Sequence, residues 1–241
     1  MPFINPKDGH LTVMNLLKTD SAEKQQRLLG AARQIIDQAD FPGWVSSTIH
    51  SGQDRFGTLN FIQWRSAEDL AAWYAGQIFQ HHDMALFLEL LSVARLLQAE
   101  AEVSQCRPGL GDVAEISPDR DDYTVVEVLD VAPESQSALI VAFGDAHEWL
   151  LETPGYRSQS VLRGVRARGP EGENAIKEVG AENSFVVVYS QWDSKEAYDA
   201  FRAVPAEQQS PARRATEIKR NALTVSSDWN SYRVEHSGSA A

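Results

Sequence analysis

A group of side chains in the first third of the sequence has the types and spacing to hold a flat molecule that carries oxygen atoms. Asn15 interrupts an otherwise apolar run, and strand alternation places it on one face with Leu11, Val13 and Leu17. A buried amide there either finds backbone partners or hydrogen-bonds an oxygen of a ligand. Asn60 and Trp64 stand four apart on a second strand-like run and so share a face, with Ile62 between them. An amide can hold an oxygen atom and an indole can stack on a flat ring. Plain core packing accounts for Trp64 equally well, because Trp192 holds the corresponding place later in the chain. Trp73, Phe79, His81 and His82 follow on or near a helical stretch. Histidine titrates near neutral pH, so His81 or His82 could take a proton from a phenol. Adjacent helix residues point about 100° apart. At most one of the two therefore faces a pocket, and both could equally cap a helix or meet solvent. His50 ends a strand whose same-face neighbours are Ser46 and Thr48. That polar row lines either the pocket or the solvent, and solvent is the ordinary outcome.

The remaining composition narrows the chemistry. His81-His82 lacks a ligand one helical turn away, and Cys106 is the single cysteine, so neither a thiolate metal centre nor an internal disulfide is expected. No Gly-x-Gly-x-x-Gly follows a strand, so a flavin, if one is used, would come as a diffusible cosubstrate. The 34 acidic and 22 basic side chains give a net charge of −12, which repels nucleic acid and anionic membranes. No run approaches the roughly 18 apolar residues of a membrane span, and the opening residues lack the pattern of a secretion signal. A cytoplasmic protein is the expectation.

These residues must be positioned by elements, and the elements repeat. Thr12-Val13 recurs as Thr124-Val125, and Pro42-Gly43-Trp44 as Pro154-Gly155-Tyr156, both 112 positions later. Gln63-Trp64-Arg65-Ser66 recurs as Gln191-Trp192-Asp193-Ser194, 128 positions later, so the second copy carries 16 more residues. These fall in the Gly-, Pro- and charge-rich stretch 163–180, which reads as an extended hairpin loop. The chain therefore divides into residues 1–110 and 111–241. Each copy reads strand, helix, strand, strand, helix, strand. The first has strands at 11–17, 44–50, 58–64 and 101–106. Its first helix spans 21–38, with Asp20 placed to cap it, and its second runs from near Ser66 to about Leu97. The second copy has strands at 123–129, 156–162, 184–192 and 223–234, with helices at 133–151 and from Ser194 onward. The tail 237–241 reads as frayed. This order is ferredoxin-like, and two such α+β sheets packed against each other make an eight-stranded barrel within one chain. A ligand would sit between sheet and helices or inside the barrel. Asn15 and Asn60 become Glu127 and Val188 in the second copy, so the first half is expected to hold the chemistry and the second to be mainly scaffold.

The strand-borne Asn15, the Pro42-Gly43-aromatic turn, the run from Asn60 to Ser66 and the aromatic and histidine cluster after it resemble the antibiotic-biosynthesis monooxygenase superfamily over residues 10–107 and 122–235. With the opening Gly9-His10 and the tandem arrangement, the sequence is most similar to the angucycline ring-opening oxygenases of the kinamycin, jadomycin and gilvocarcin pathways. The resemblance implies a dimeric α+β barrel that oxidises a polycyclic aromatic polyketide with O2 and without metal. It further implies cleavage of a C–C bond using reduced flavin (FADH2 or FMNH2) from a flavin reductase. Asn15, Asn60, Trp64 and His82 would be catalytic, and His50, Trp73, Phe79 and His81 would bind substrate. A homodimer of the whole chain is also implied as an option. Three alternatives stay open: a cofactor-independent, quinone-forming anthrone-type oxygenase, a haem-degrading monooxygenase, and a non-catalytic ligand-binding barrel. Asn15 and Trp73 fit the haem reading, but Asp83 stands where its histidine should be.

Overall fold

Alternation along the strands and amphipathic stripes along the helices produce two similar halves. The computed structural model describes residues 2–75, 89–168 and 184–240. After a two-residue strand, β1 (Phe3–Ile4), the first half runs β2 (Leu11–Lys18), α1 (Ala22–Asp37), β3 (Trp44–Gly52), β4 (Gly57–Trp64), α2 (Ala67–Ala75) and β5 (Val93–Cys106). The second repeats it with β6 (Ala114–Glu115), β7 (Tyr123–Val131), α3 (Gln136–Asp145), α4 (His147–Leu150), β8 (Tyr156–Arg168), β9 (Ser184–Trp192), α5 (Lys195–Ala203), α6 (Pro211–Leu223) and β10 (Thr224–Ser239). Within the halves the strand orders are β3-β4-β2-β5 and β8-β9-β7-β10, the ferredoxin-like arrangement. The last strand of each half pairs with the second strand of the other, β5 with β8 and β10 with β3, and this closes an eight-stranded antiparallel barrel. Closure leaves the barrel sheet without a free edge.

Each strand presents one face to the lumen and one to the helices. The lumen is filled by Met14, Phe61, Leu97, Val128, Leu162 and Tyr189, all buried. β1 pairs with β6, and Ile4 and Ile116 join the same core. Those two isoleucines are 112 positions apart, so the duplication extends to the first few residues. Gln63 Nε2 donates to the Phe3 carbonyl and Gln191 Nε2 to that of Glu115, each at 2.8 Å, repeating one tether in both halves. The lumen is thus largely a packed core, with a small pocket at one end lined by Leu16, Val126, Val128 and Tyr232.

Several boundaries differ from the sequence reading. The stretch before Leu97 does not stay helical, because Val93–Leu97 pairs with Lys18–Met14 as the start of a 14-residue strand, β5. Cross-strand pairing on two sides overrides the local Leu-rich helical pattern. Likewise β8 runs to Arg168, well into the expected loop. The tail is held, since Ser237, Gly238 and Ser239 pair with Thr48, Ser47 and Ser46 of β3. α1 is capped by Ser21, whose Oγ accepts from the Lys24 backbone N–H at 3.3 Å, while Asp20 makes an ion pair with the Lys24 ammonium at 2.8 Å. Its buried stripe of Leu29, Ala32 and Ile36 packs on Ile49 of β3.

Candidate functional site

In the first half, β2 and β4 are neighbours in a register that sets Asn15 directly opposite Asn60. Trp64 lies on the same face and is 2% exposed, packed with Leu11, Val13, Trp44 and Leu70, with Trp73 of α2 against this cluster. The rings of Trp64 and Trp73 are 5.5 Å apart, and Phe41 stands 5.5 Å from Trp73 on its other side. The structure therefore unites four of the residues read from the sequence: Asn15, Asn60, Trp64 and Trp73. Asn60 Oδ1 and Trp64 Nε1 are buried and have no hydrogen-bond partner among the described residues. Leaving a buried polar group unmatched costs about 1–3 kcal/mol. One is an acceptor and the other a donor, so this face offers a ligand one of each, two pleats apart along β4. Phe79, His81 and His82 lie outside the described residues.

His50 is placed elsewhere. It projects into the barrel lumen, on the opposite face of the sheet from Asn60, and is fully buried. Its Nδ1 is 3.2 Å from the Leu59 carbonyl oxygen and so carries the proton. Nε2 then accepts from the Tyr189 hydroxyl at 2.9 Å. Burial lowers the imidazole pKa to about 4, so it is neutral at neutral pH. The row Ser46, Thr48 and His50 thus faces neither solvent nor the amide pair. A bulge between Trp44 and Ser46 shifts the alternation along β3, which puts Trp44 on the helix side and Ser46 in the lumen.

The second half holds a small cleft between its sheet and helices, partly open to solvent and lined by Glu127, Tyr156, Trp192, Tyr198, Phe201 and Arg220 among others. Its position matches that of the first-half cluster: Glu127 on β7 lies opposite Val188 on β9, as Asn15 lies opposite Asn60. Aromatic rings make its wall. Trp192 and Phe201 are stacked at 4.8 Å, Tyr198 meets Trp192 at 5.3 Å, and Tyr156 meets it edge-on at 5.8 Å. Burial pushes the Tyr198 hydroxyl up to about 12 and raises that of Tyr156 further, so both are donors at neutral pH. Glu127 forms an ion pair with Arg220 of α6. Burial raises the Glu127 carboxyl above its ordinary range, against the pull of the guanidinium. Sequence reasoning left this half as scaffold. It had the cue of Trp192 standing at the place of Trp64, but nothing local joins Glu127 to a partner on a helix so far along the chain. Among the described residues no cluster of three or more His, Cys, Asp or Glu side chains is placed to hold a metal ion, and no helix is long and apolar enough to cross a membrane.

Two fused ferredoxin-like units closed into one barrel, with aromatic faces under the helices, define a dimeric-type α+β barrel protein condensed into one chain. The sequence pattern of the family described as antibiotic biosynthesis monooxygenase matches residues 122–210. The chain is 32% identical over 84 residues to tetracenomycin-F1 monooxygenase of Streptomyces glaucescens, a match spanning 34% of this chain and 74% of the relative. It is also similar to a crystal structure described as an anthrone oxidase-like protein, at 43% identity over 100% of this chain and 97% of the other, with a TM-score of 0.89. A solved protein of Fusobacterium nucleatum shares the fold at 8% identity, with a TM-score of 0.61 over 97% of this chain and 95% of its own. The chain belongs to the antibiotic biosynthesis monooxygenase family.

Proposed function

We propose that the chain oxidises a planar polycyclic phenol of the anthrone type with O2, at the first-half face formed by Asn15, Asn60 and Trp64. The observation that carries this reading is the pair of unmatched buried groups, Asn60 Oδ1 and Trp64 Nε1. A phenolic hydroxyl donates to the first, and a second oxygen on the same ring system accepts from the second. The amide N–H groups of Asn15 and Asn60 stabilise the charge that develops on the ring oxygen as the enolate forms. The Trp64 and Trp73 indoles hold the ring system flat. His82 is the base in this reading. The ring methylene loses two hydrogens, one oxygen atom of O2 becomes the new carbonyl, and the other leaves as water. The names of the relatives, an anthrone oxidase-like protein and tetracenomycin-F1 monooxygenase, support an aromatic polyketide as substrate.

Flavin-dependent cleavage of an angucycline C–C bond is the finer alternative. The cleft of the second half has one cation in its lining, Arg220, already paired with Glu127. The described residues of that cleft supply no second cation for a flavin phosphate, and in this alternative the flavin is a diffusible cosubstrate. The test is incubation with 1,8-dihydroxyanthrone and O2, with and without flavin, NADH and a flavin reductase. Product mass and quinone absorbance are followed against the enzyme-free rate. The expected product without flavin is the quinone. No acceleration under either condition would overturn the proposal, and a cleaved ring formed only with flavin would replace it with the ring-opening reaction.

A further inference from the structure

We propose that one rim of the barrel carries a charge code for pairing the halves: Lys18 and Arg95 of the first half fit Asp130 and Asp228 of the second, and the same charges bar either half from closing on a second copy of itself.

The duplication makes the code readable. Arg95 on β5 lies opposite Leu16, and Asp228 on β10 lies opposite Val128, the repeat of Leu16 112 positions on. Arg95 and Asp228 therefore hold the same place in the two halves. So do Lys18 and Asp130, again 112 positions apart. Alternation along the strands continues from Met14 and Val128 in the lumen, and puts all four side chains at its rim. Across that rim Arg95 pairs with Asp130 at 2.5 Å and Lys18 with Asp228 at 3.0 Å. The approximate twofold relation of the halves turns one pair into the other with its signs exchanged. Arg55, between β3 and β4, sets a second first-half cation on Asp228 at 2.8 Å. Two first halves closed into a barrel would set Lys18 and Arg55 of each against Arg95 of the other. Two second halves would set Asp130 against Asp228. At these places the mixed barrel alone brings opposite charges together.

The lumen repeats the pattern without charge. His50 Nε2 accepts from the Tyr189 hydroxyl at 2.9 Å, whereas the repeat places of these two residues hold the buried Leu162 and Phe61. Two first halves would set each His50 against a phenylalanine, and two second halves each Tyr189 against a leucine. A buried polar group would lose its partner in both cases. Other contacts between the halves are indifferent. Arg163 pairs with Glu102 and Ser51 with Glu235, and these two glutamates hold the same place in the two halves.

Stability alone does not explain the rim pairs, because partly exposed ion pairs contribute little to it. Like charges brought together across an interface do suppress a wrong partner. The choice matters during synthesis, since residues 111–241 follow the first half by on the order of ten seconds. In that interval the inner face of residues 1–110 meets the same face of other chains before its own second half exists.

The test uses the whole chain, unfolded in urea, refolded at equal concentrations and sized by light scattering after gel filtration. Arg95→Asp with Asp228→Arg sets like charges against each other within the chain and opposite charges between copies. Arg95→Asp with Asp130→Arg has the same composition and net charge but keeps both pairs within the chain. The first variant is expected to give about tenfold more species of at least twice the wild-type mass than the wild type or the second variant does. A folded first variant with the wild-type mass, or equal association of the two variants, would overturn the proposal. Should the first variant lose its circular dichroism signal, adding Lys18→Asp and Asp130→Lys to it reverses all four charges and decides the matter. Return of the fold and of the wild-type mass would uphold the code, and continued loss of the fold would remove it.

Discussion

Asn60 and Val188 occupy the same place in the two halves, so Asn60→Val asks the first half to accept a side chain its own repeat already carries. The strand tolerates valine there, as β9 shows with Val188 opposite Glu127. The fold should survive, while kcat/KM falls about a hundred- to a thousandfold, the range expected when one oriented hydrogen-bonding group is lost from a charge-stabilising site. Unchanged kinetics with an unchanged circular dichroism spectrum would mean that the asymmetry between the halves is neutral. His50 calls for a different measurement, because it belongs to the lumen. Its imidazole is held neutral by burial, from 6.5 down to about 4, and its ring neighbours Tyr189 and Tyr232 are neutral throughout this range. Above pH 6.5 the folded and unfolded chains bind the same number of protons there, so stability is full. As pH falls from 6.5 toward 4, the unfolded chain takes a proton that the folded one refuses, and stability is lost. At pH 5 the loss is roughly 2 kcal/mol. Urea midpoints at pH 7 and pH 5 should show this fall in the wild type and a smaller one in His50→Gln. Equal falls in both proteins would assign the acid sensitivity to other groups.

The two Pro-Gly turns work the same way in both halves and were legible from the sequence alone. Gly43 and Gly155 adopt φ of 82° and 78°, where a β-carbon is strained, and a methyl added at either would stand 2.3 Å from the β-carbon of Asp69 or Ala197. Gly43→Ala and Gly155→Ala should each lower stability by about 1–3 kcal/mol, read as a drop in the thermal midpoint. A variant as stable as the wild type would show that strand and helix can slide apart at that turn. Strand existence, the amide–indole face and the halves themselves were readable because period-two alternation and repeated turn residues are local signals. Two things were not. Residues 93–97 carry a Leu-rich pattern that fits a helix, and only pairing with β2 and β8, on strands far apart in sequence, makes them extended. The face to which His50 points was hidden by the bulge after Trp44, which reverses the alternation without leaving a mark in composition. The second cleft was missed for a related reason. Trp192, Tyr198 and Phe201 cluster locally and could have been noticed, but the pairing of Glu127 with Arg220 depends on how α6 folds back over β7.

At the level of the whole chain, the barrel is closed by two long seams that join the halves, β5 to β8 and β10 to β3. Neither half buries its own inner face. Met14, Leu59, Phe61 and Leu97 from the first meet Val128, Leu162, Val187 and Tyr189 from the second in one continuous core. One 241-residue chain thus supplies both sheets and has no need of a second copy to complete its lumen, so any homodimer must form through another surface. Residues 1–110 expressed alone would expose that inner face together with the edges of β3 and β5. Burying it is worth about 25 cal/mol per Å² of apolar surface, which favours self-pairing over an open half-barrel. Light scattering after gel filtration should find this fragment as a dimer or larger, and as a 1:1 complex when it is produced together with residues 111–241. A folded, monomeric 1–110 would show that this ferredoxin-like unit is stable by itself, and that the seams hold the two halves together without being needed to fold them.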